Sequence, residues 1–297
     1  MRRSIVSIFI LILTTSITWA KDNTGATFLK IGVGPRPTAM GEAFCAVAND
    51  VNAIYWNPAG LAQIKGQQLL LIHNQWFEDI NHDYIGFAQN ITSNRTFGGN
   101  ITYLRIDNLI GRDEIGNKTD DFNAYDLALG LAYGEKLSKH LLIGVHLKCI
   151  YQLNENVSGS GIAADIGWLY KTDIKNLDLG LCIQNIGTKI KFIDTKEILP
   201  LNIKLGIAYK VPSIFTIAVD GNIPREGDIC VNTGTEITIL NFMSMRVGYK
   251  SQTDLDSETH WSYGVGFKIR NYHINYAFVP YGLLGDTHRL ALLLKFD

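Results

Sequence analysis

The feature that most constrains this chain is an alternation of side chains with a period of two, which recurs from Gln67 to Phe296. One copy places apolar residues at alternate positions, namely Tyr125, Leu127, Leu129, Leu131 and Tyr133. The positions between them carry alanine, glycine and aspartate. Successive side chains of a β-strand point to opposite faces of the sheet, so this period predicts strands. An apolar face bordered by aromatics, opposite a face with charges, is typical of a sheet with lipid outside and a polar lumen inside.

The alternation divides into fourteen predicted strands. They are Gln67–Phe77, His82–Ile91, Arg95–Ile106, Asn123–Lys136, His140–Gln152, Gly161–Lys171, Leu177–Ile186, Leu201–Lys210, Ile214–Gly221, Asp228–Ile239, Phe242–Lys250, His260–Arg270, Asn271–Val279 and Thr287–Phe296. Connectors after the even strands are tight, and most after the odd strands are longer, including Asp107–Phe122, Asn154–Ser160, Gly187–Pro200 and Ser251–Thr259. Outer-membrane barrels have short periplasmic turns and longer outer loops. The sequence therefore predicts an all-β fold, a 14-stranded antiparallel transmembrane β-barrel in the bacterial outer membrane.

The N-terminus predicts export through a cleavable signal peptide. Arg2 and Arg3 precede a short apolar stretch, Ile5–Leu13, and Thr18-Trp19-Ala20 provides small residues at the −3 and −1 positions of a cleavage site. This stretch is shorter than the roughly 20 apolar residues that a transmembrane helix needs. We predict a signal peptide at 1–20, an N-terminal plug segment at 21–65 and the barrel at 66–297.

Composition limits the partners and cofactors. The net charge of −1 gives no electrostatic reason to expect nucleic acid. Hydrophobic residues make up 46% of the chain, and in the barrel they are spread over alternating strands that would face outer-membrane lipids. The four cysteines, Cys45, Cys149, Cys182 and Cys230, lack the spacing of a metal site and are expected to be isolated packing residues.

The segment before the barrel carries a motif. Ala48-Asn49-Asp50 followed by Asn57-Pro58-Ala59-Gly60-Leu61 resembles the N-terminal signature of the FadL-type outer-membrane superfamily. With the preceding Arg36-Pro37-Thr38-Ala39-Met40-Gly41 it is most similar to the PorV/PorQ branch, from which Pro35, Glu42 and Cys45 depart. The resemblance implies a segment folded inside the barrel as a hatch, and passage of a small hydrophobic compound. For the PorV/PorQ branch it implies a role in type IX secretion and surface attachment of cargo.

The residues of the motif suggest plug or gate roles of their own. Asp50 is predicted to cap a short helix through Val51–Trp56, because its carboxylate can accept the exposed N–H groups. Pro58 should end that helix at Asn57, and Gly60 should allow a turn toward the first strand. Tyr55, Trp56 and Leu61 are expected to pack the plug against the barrel wall.

Alternation also assigns polar side chains to the lumen. They are Asp126, His146, Lys148, Asp165, Lys204, Glu236, Arg246, Lys268 and Arg289. Glycines share this face, where small residues would let a plug approach the wall. Mixed charges and small residues predict a filled lumen with a narrow path, lined by Tyr103, Phe44 and Trp56.

The sequence offers no catalytic or metal site. It contains no Gly-x-Ser-x-Gly motif, and the seven histidines show no metal-binding spacing. Asp254, Asp256 and Glu258 alternate in a predicted outer loop, where they fit a divalent cation or, more simply, a solvated acidic loop. We predict a protein that is not an enzyme and has no metal or cofactor.

Two functions remain open from the sequence. The first is transport of a small hydrophobic compound past the plug. The second is a membrane anchor or adaptor for secreted proteins.

The final strand, with Leu290, Leu292, Leu294 and Phe296 on one face, resembles the C-terminal segment that the barrel-assembly machinery reads. That machinery is therefore an expected partner.

Overall fold

Fourteen strands close into an antiparallel barrel, which confirms the predicted fold class. The computed structural model describes residues 24–76, 80–113, 115–193, 195–252, 259–282 and 285–296. The predicted signal peptide and the acidic positions 254, 256 and 258 lie outside these residues. Among the described residues, no helix is long and apolar enough to cross a membrane.

The strands follow the predicted positions closely. They are β1 Gln67–Gln75, β2 Asn81–Thr92, β3 Arg95–Leu109, β4 Phe122–Lys136, β5 Leu141–Asn154, β6 Val157–Lys171, β7 Leu177–Gly187, β8 Ile190–Phe192, β9 Thr195–Glu197, β10 Asn202–Val211, β11 Phe215–Pro224, β12 Cys230–Ile239, β13 Met243–Lys250, β14 Trp261–Ile269, β15 Tyr272–Pro280 and β16 Asp286–Phe296. Each barrel strand pairs with its neighbours in the chain, and β1 pairs with β16 to close the cylinder. The short strands β8 and β9 form a separate hairpin, so β7 pairs with β10.

The two faces of the wall have opposite character. On β4, Leu129 and Leu131 point outward and are 48% and 74% exposed, whereas Ala128 and Ala132 are buried toward the lumen. Trp261, Tyr263, Phe267 and Ile269 of β14 are likewise exposed. An apolar outer face with aromatics matches the lipid-facing surface of a transmembrane barrel.

Three connectors differ from the prediction. The expected loop Asn154–Ser160 is wrong, because β5 continues to Asn154 and β6 begins at Val157. The turn between them needs only two residues, and Glu155 takes a positive φ of 53° there. Strand β3 extends to Leu109, and the connector 188–201 contains the β8–β9 hairpin. We call the end with the short turns after β2, β4, β6, β10, β12 and β14 the turn end, and the opposite end the loop end.

The described residues 24–65, here called the inner segment, lie inside the barrel. The segment contains short helices at Thr27–Lys30, Pro35–Ala39, Ala53–Trp56 and Pro58–Gln63. It starts at the loop end, where the Gly25 amide donates to the Ile198 carbonyl at 2.9 Å. It reaches the turn end, where Lys171 Nζ donates to Gln63 Oε1 at 2.8 Å. Its apolar side chains share one core with inward-facing residues of the wall.

Candidate functional site: the lumen and its inner segment

A belt of glycines on the wall makes room for the inner segment. A Cβ added at Gly248 would lie 1.8 Å from the Gly41 nitrogen, and one at Gly144 would lie 2.2 Å from the Pro58 carbonyl carbon. Positions that would bring a Cβ against the segment are Gly86, Gly98, Gly134, Gly144, Gly167, Gly180, Gly206, Gly234, Gly248 and Gly264. At Gly144, Gly180, Gly234 and Gly248 the nearest atom belongs to the backbone of the segment, so backbone lies against backbone there. Alternation predicted glycines on the inner face, and the structure shows which atoms of the inner segment they meet.

Replacing Gly248 with Ala is expected to push the inner segment away from the wall. The new methyl group would overlap backbone atoms at Gly41, and protein interiors have little free volume to absorb it. Single-channel recordings in planar bilayers should then show a higher ion conductance than the original protein. Gly99→Ala is the matched control, because its Cβ would meet the Gly130 carbonyl oxygen at 3.2 Å and no atom of the inner segment. Equal conductance in both variants would contradict tight contact at Gly41.

One arginine of the inner segment links it to the wall by charge. Arg36 donates to Asp50 at 2.6 Å within the segment and to both carboxylate oxygens of Glu236 on β12, at 2.8 and 2.9 Å. Arg246 on β13 also donates to Glu236, at 2.6 Å. Burial alone would lower the pKa of Arg36, but the carboxylates of Glu236 and Asp50 raise it on balance. Burial would raise the pKa of Asp50, and the nearby Arg36 guanidinium lowers it below its usual range. Arg36 and Asp50 are therefore both charged at neutral pH.

This arrangement corrects the predicted role of Asp50. The helix Ala53–Trp56 has Asn52 at its N-cap position, and no side chain caps it. Asp50 instead accepts the backbone N–H of Asn52 at 2.9 Å, just before the helix. Its second oxygen is taken by Arg36. Asp50 therefore acts as the charge partner of Arg36 rather than as a helix cap.

Asn57 and Pro58 end the helix and attach its C-terminal side to the wall. Asn57 adopts an extended backbone, with φ −164°, and its Oδ1 accepts the Ala59 amide at 3.2 Å. Its Nδ2 donates to the Cys45 carbonyl at 2.9 Å and to the Trp168 carbonyl of β6 at 3.1 Å. The predicted helix end at Asn57 is confirmed.

The prediction that Gly60 allows a turn is wrong. Gly60 lies within the helical stretch Pro58–Gln63 and has no positive φ. A Cβ there would sit 2.3 Å from the Ala48 carbonyl oxygen. Glycine is needed because two parts of the inner segment cross closely at this point.

Tyr55 and Trp56 mainly hold the inner segment together. Trp56 is fully buried, and its Nε1 donates to the Val33 carbonyl at 2.8 Å. The Tyr55 hydroxyl donates to the Leu29 carbonyl at 2.9 Å. The wall contributes Lys204, whose ammonium lies 4.7 Å from the centre of a Trp56 ring. Cation–π contact thus joins Trp56 to β10.

The other predicted lumen residues also lie on the inward face of the wall. Three of them, His146, Lys148 and Asp165, form a buried network. Asp165 accepts from Lys148 at 2.7 Å and contacts His146 at 3.0 Å. It also accepts the Asn185 amide at 2.7 Å, where the β6–β7 register shifts. Asp126 accepts from Gln152 at 2.8 Å near the loop end. Arg289 donates to the Gly32 carbonyl at 2.6 Å, and Lys268 is exposed at the turn end.

Tyr103 does not line the lumen, so that prediction is wrong. It shares its strand parity with Ile101, which is exposed on the outer face. Its ring lies 5.9 Å from that of Tyr125, another outward tyrosine. Tyr103 therefore belongs to the aromatic surface outside the barrel. Phe44 and Trp56 are inside and fully buried.

Sequence reasoning did not predict several bonds that fasten the inner segment to the wall. Asp220 of β11 accepts the amides of Phe44 and Cys45, both at 2.8 Å. Glu42 accepts from Lys250 of β13 at 2.8 Å. Burial raises the pKa of Glu42, but the charges of Lys250, Lys204 and Arg289 lower it on balance. The available signal was the presence of isolated charges, Arg36 and Glu42, in a segment otherwise rich in glycine, proline and apolar residues.

Open space remains at each end of the lumen. A cavity of about 720 Å³ lies at the turn end, next to Arg36 and Asp50. A second, of about 640 Å³, lies at the loop end between Phe122, Gln152 and Phe192. Among the described residues, no group of three or more His, Cys, Asp or Glu side chains is arranged to hold a metal ion.

Sequence comparison matches part of the chain to one protein family and to one relative. A family described as "Uncharacterised protein family (UPF0164)" matches residues 14–110. A UPF0164 protein of Treponema pallidum (strain Nichols) is 23% identical over 222 residues, which is 66% of this chain and 52% of that protein. The chain thus spans about half the length of this relative.

The solved structures give the fold. The toluene transporter TbuX of Ralstonia pickettii is 14% identical, with a TM-score of 0.64 and coverage of 90% of this chain and 99% of that one. The toluene transporter TodX of Pseudomonas putida is 14% identical, with a TM-score of 0.63 and coverage of 93% and 98%. A Pseudomonas aeruginosa FadL homologue is 11% identical, with a TM-score of 0.60 and coverage of 87% and 98%. In fold, the chain is similar to the FadL-type channels.

This likeness agrees with the superfamily resemblance of the Asn57–Leu61 motif at the level of fold. The 14-strand barrel and its FadL-type neighbours are the shared part. The PorV/PorQ branch stays a prediction, because neither the matching family nor these structures carry that name.

Proposed function

We propose that this protein is an outer-membrane channel that admits a small hydrophobic compound past its inner segment. The observation that carries the proposal is a lumen filled by residues 24–65, with separate cavities at its two ends, inside a barrel with an apolar outer face. A wide diffusion pore would not need a lumen filled in this way. The similar barrels TbuX and TodX are named as toluene transporters, which supports the same class of cargo.

The loop end offers an entry suited to an apolar compound. Its cavity is lined in part by Leu104, Ile106, Phe122, Leu153 and Phe192. A buried cluster packs beside it, in which Phe28 and Leu29 of the inner segment meet Ala128 and Ile150 of the wall. A hydrophobic molecule entering here gains free energy by leaving water, at roughly 25 cal/mol per Å² of apolar surface. It would then meet the inner segment, which acts as a plug.

The proposed location in the outer membrane and the route to it follow from the sequence. The signal peptide at 1–20 would direct export, and the barrel-assembly machinery would insert the chain by its last strand. In this proposal the turn end faces the periplasm, and the Asp50–Gly60 part of the plug gates the path. The channel is passive, without catalysis, metal or cofactor.

Trp56→Ala is expected to change uptake of an apolar tracer without changing the amount of folded barrel. Removing the ring breaks the bond to the Val33 carbonyl and the contact with Lys204, so the plug loses its fixed position. Uptake of the fluorescent probe 1-N-phenylnaphthylamine into proteoliposomes measures the effect. Trp261→Ala is the matched control, because that ring lies on the outer face and is exposed.

Unchanged uptake in Trp56→Ala, with equal barrel abundance, would count against a gating role for the plug. If that variant also lost surface display of secreted proteins in cells, the result would favour the alternative function. In that alternative, the barrel is a membrane adaptor of a type IX-like secretion system.

A further inference from the structure

The cavity at the turn end is lined by more cationic than anionic side chains. The cations are Arg36, Lys171, Lys210, Arg246, Lys268 and Lys295. The carboxylates are Asp50, Asp178 and Glu236. At about 720 Å³ the cavity has room for a small organic solute. The charge of a solute that can bind here depends on which of these side chains already have a partner of opposite charge.

Each of the three carboxylates is already paired. Asp178 lies 3.0 Å from Lys171 and 2.5 Å from Lys210. Glu236 bonds to Arg36 and Arg246, and Asp50 bonds to Arg36. No carboxylate of the lining is left for a further cation at contact distance.

Two lysines remain without such a partner. Within the described part of the chain, neither Lys268 nor Lys295 has a carboxylate within 4.0 Å of its ammonium group. Lys295 lies within electrostatic range of Asp50, but Arg36 already occupies that carboxylate at 2.6 Å.

The strand register brings these lysines to one patch. Lys268 on β14 pairs with His273 on β15, and His273 pairs with Leu293 on β16. Lys295 follows Leu293 at the next inward position of β16. Neighbouring strands are about 4.8 Å apart, so the Cα atoms of the two lysines lie roughly 10–12 Å from each other, with the strand of His273 between them. Both side chains line the same cavity. Like charges in one cavity repel, and an anion between them offsets the repulsion.

We propose that Lys268, His273 and Lys295 form a site for an oxyanion, the carboxylate or phosphate group of a small solute. The lysine ammonium groups supply the charge and several N–H donors, and the His273 ring adds a donor between them. Asn275, the next inward residue of β15, also lines the cavity and offers an amide. The site lies on the turn-end side of the inner segment, so it does not depend on passage of an apolar compound.

Binding of two probes to the purified protein in a non-ionic detergent tests the site. Isothermal titration calorimetry at low ionic strength is run with inorganic phosphate in one arm and with benzoate in the other. The wild-type protein should bind at least one probe saturably. The double variant Lys268→Gln/Lys295→Gln should bind that probe on the order of tenfold more weakly, because two charge-assisted contacts are lost.

The control is the double variant Lys139→Gln/Lys175→Gln, which removes the same charge from exposed turns at the same end. It should keep wild-type affinity. Heat-modifiable migration on gels verifies that both double variants are folded. Saturable binding of phosphate alone or of benzoate alone supports the site and identifies its anion. Absence of saturable binding of either probe to the wild type, or equal loss in both double variants, would overturn the proposal.

Discussion

Replacing Arg36 with Gln is expected to loosen the inner segment from the barrel wall by about 3 kcal/mol. The change leaves Asp50 without its cation and removes two bonds from Glu236, both in largely buried surroundings. Breaking a buried ion pair by removing one partner costs about 3–5 kcal/mol, and Arg36 is partly open to the turn-end cavity, which favours the lower value. Hydrogen–deuterium exchange of the backbone amides in residues 24–65 measures the loss. About 3 kcal/mol corresponds to roughly 100-fold faster exchange when opening is fast and reversible.

The control for this variant is Arg95→Gln. Arg95 donates to Glu135 at 2.8 Å, but its side chain is 56% exposed at the turn end of β3. Exposed ion pairs contribute about 0–1 kcal/mol, so exchange of the inner segment should not change. Similar protection of the segment in Arg36→Gln and Arg95→Gln would show that the glycine belt and apolar packing hold it without the arginine.

The ion pair of Arg36 with Asp50 makes the attachment of the inner segment depend on pH. The pKa of Asp50 is lower in the folded protein than in the unfolded chain, where a free aspartate titrates near 3.9. Its stabilisation is therefore fully present above that value and is lost as the pH falls through the lower, folded pKa. In Arg36→Gln this acid-dependent loss should be smaller, because the cation that lowers the pKa is gone. Exchange measured at several acidic pH values tests the difference.

Leu129→Arg is expected to reduce folding into lipid bilayers by about 2–4 kcal/mol, the cost of a cation at the membrane midplane. Leu129 lies near the middle of β4, faces outward and is 48% exposed. Folding into vesicles under a urea gradient gives the free energy, and heat-modifiable migration on gels gives the folded fraction. The variant should show a clear loss of both.

Asp126→Asn on the same strand is the matched control for the other face. Its side chain points into the lumen and accepts from Gln152 at 2.8 Å, a bond that the amide oxygen of Asn can keep. Folding should be close to that of the wild type. A larger cost for Asp126→Asn than for Leu129→Arg would mean that the two faces have been assigned the wrong way round.

Local pattern explains why the strands could be predicted so closely. Each strand needs only its own period of two, and a shift of one residue would move every apolar side chain into the lumen. Such a shift is costly in a barrel with two different environments. The errors in the prediction lie in the connectors, where side chains need not alternate between lipid and lumen. The two-residue turn at Glu155 depends on a positive φ at a residue that is not glycine. The β8–β9 hairpin is a separate two-stranded sheet whose strands do not pair with those of the barrel.

The sequence by itself determined the barrel, its strand number, its two faces and the glycines that face inward. Only the tertiary structure decided which residues attach the inner segment to the wall of the lumen. Arg36 and Glu236 are 200 residues apart, and Phe44 and Asp220 are 176 apart. Side-chain alternation carries no information on such pairs, because it depends on neighbours two positions away. The charge link of Arg36, the changed role of Asp50 and the placement of Lys268 and Lys295 in one cavity follow from closure of the barrel around the inner segment.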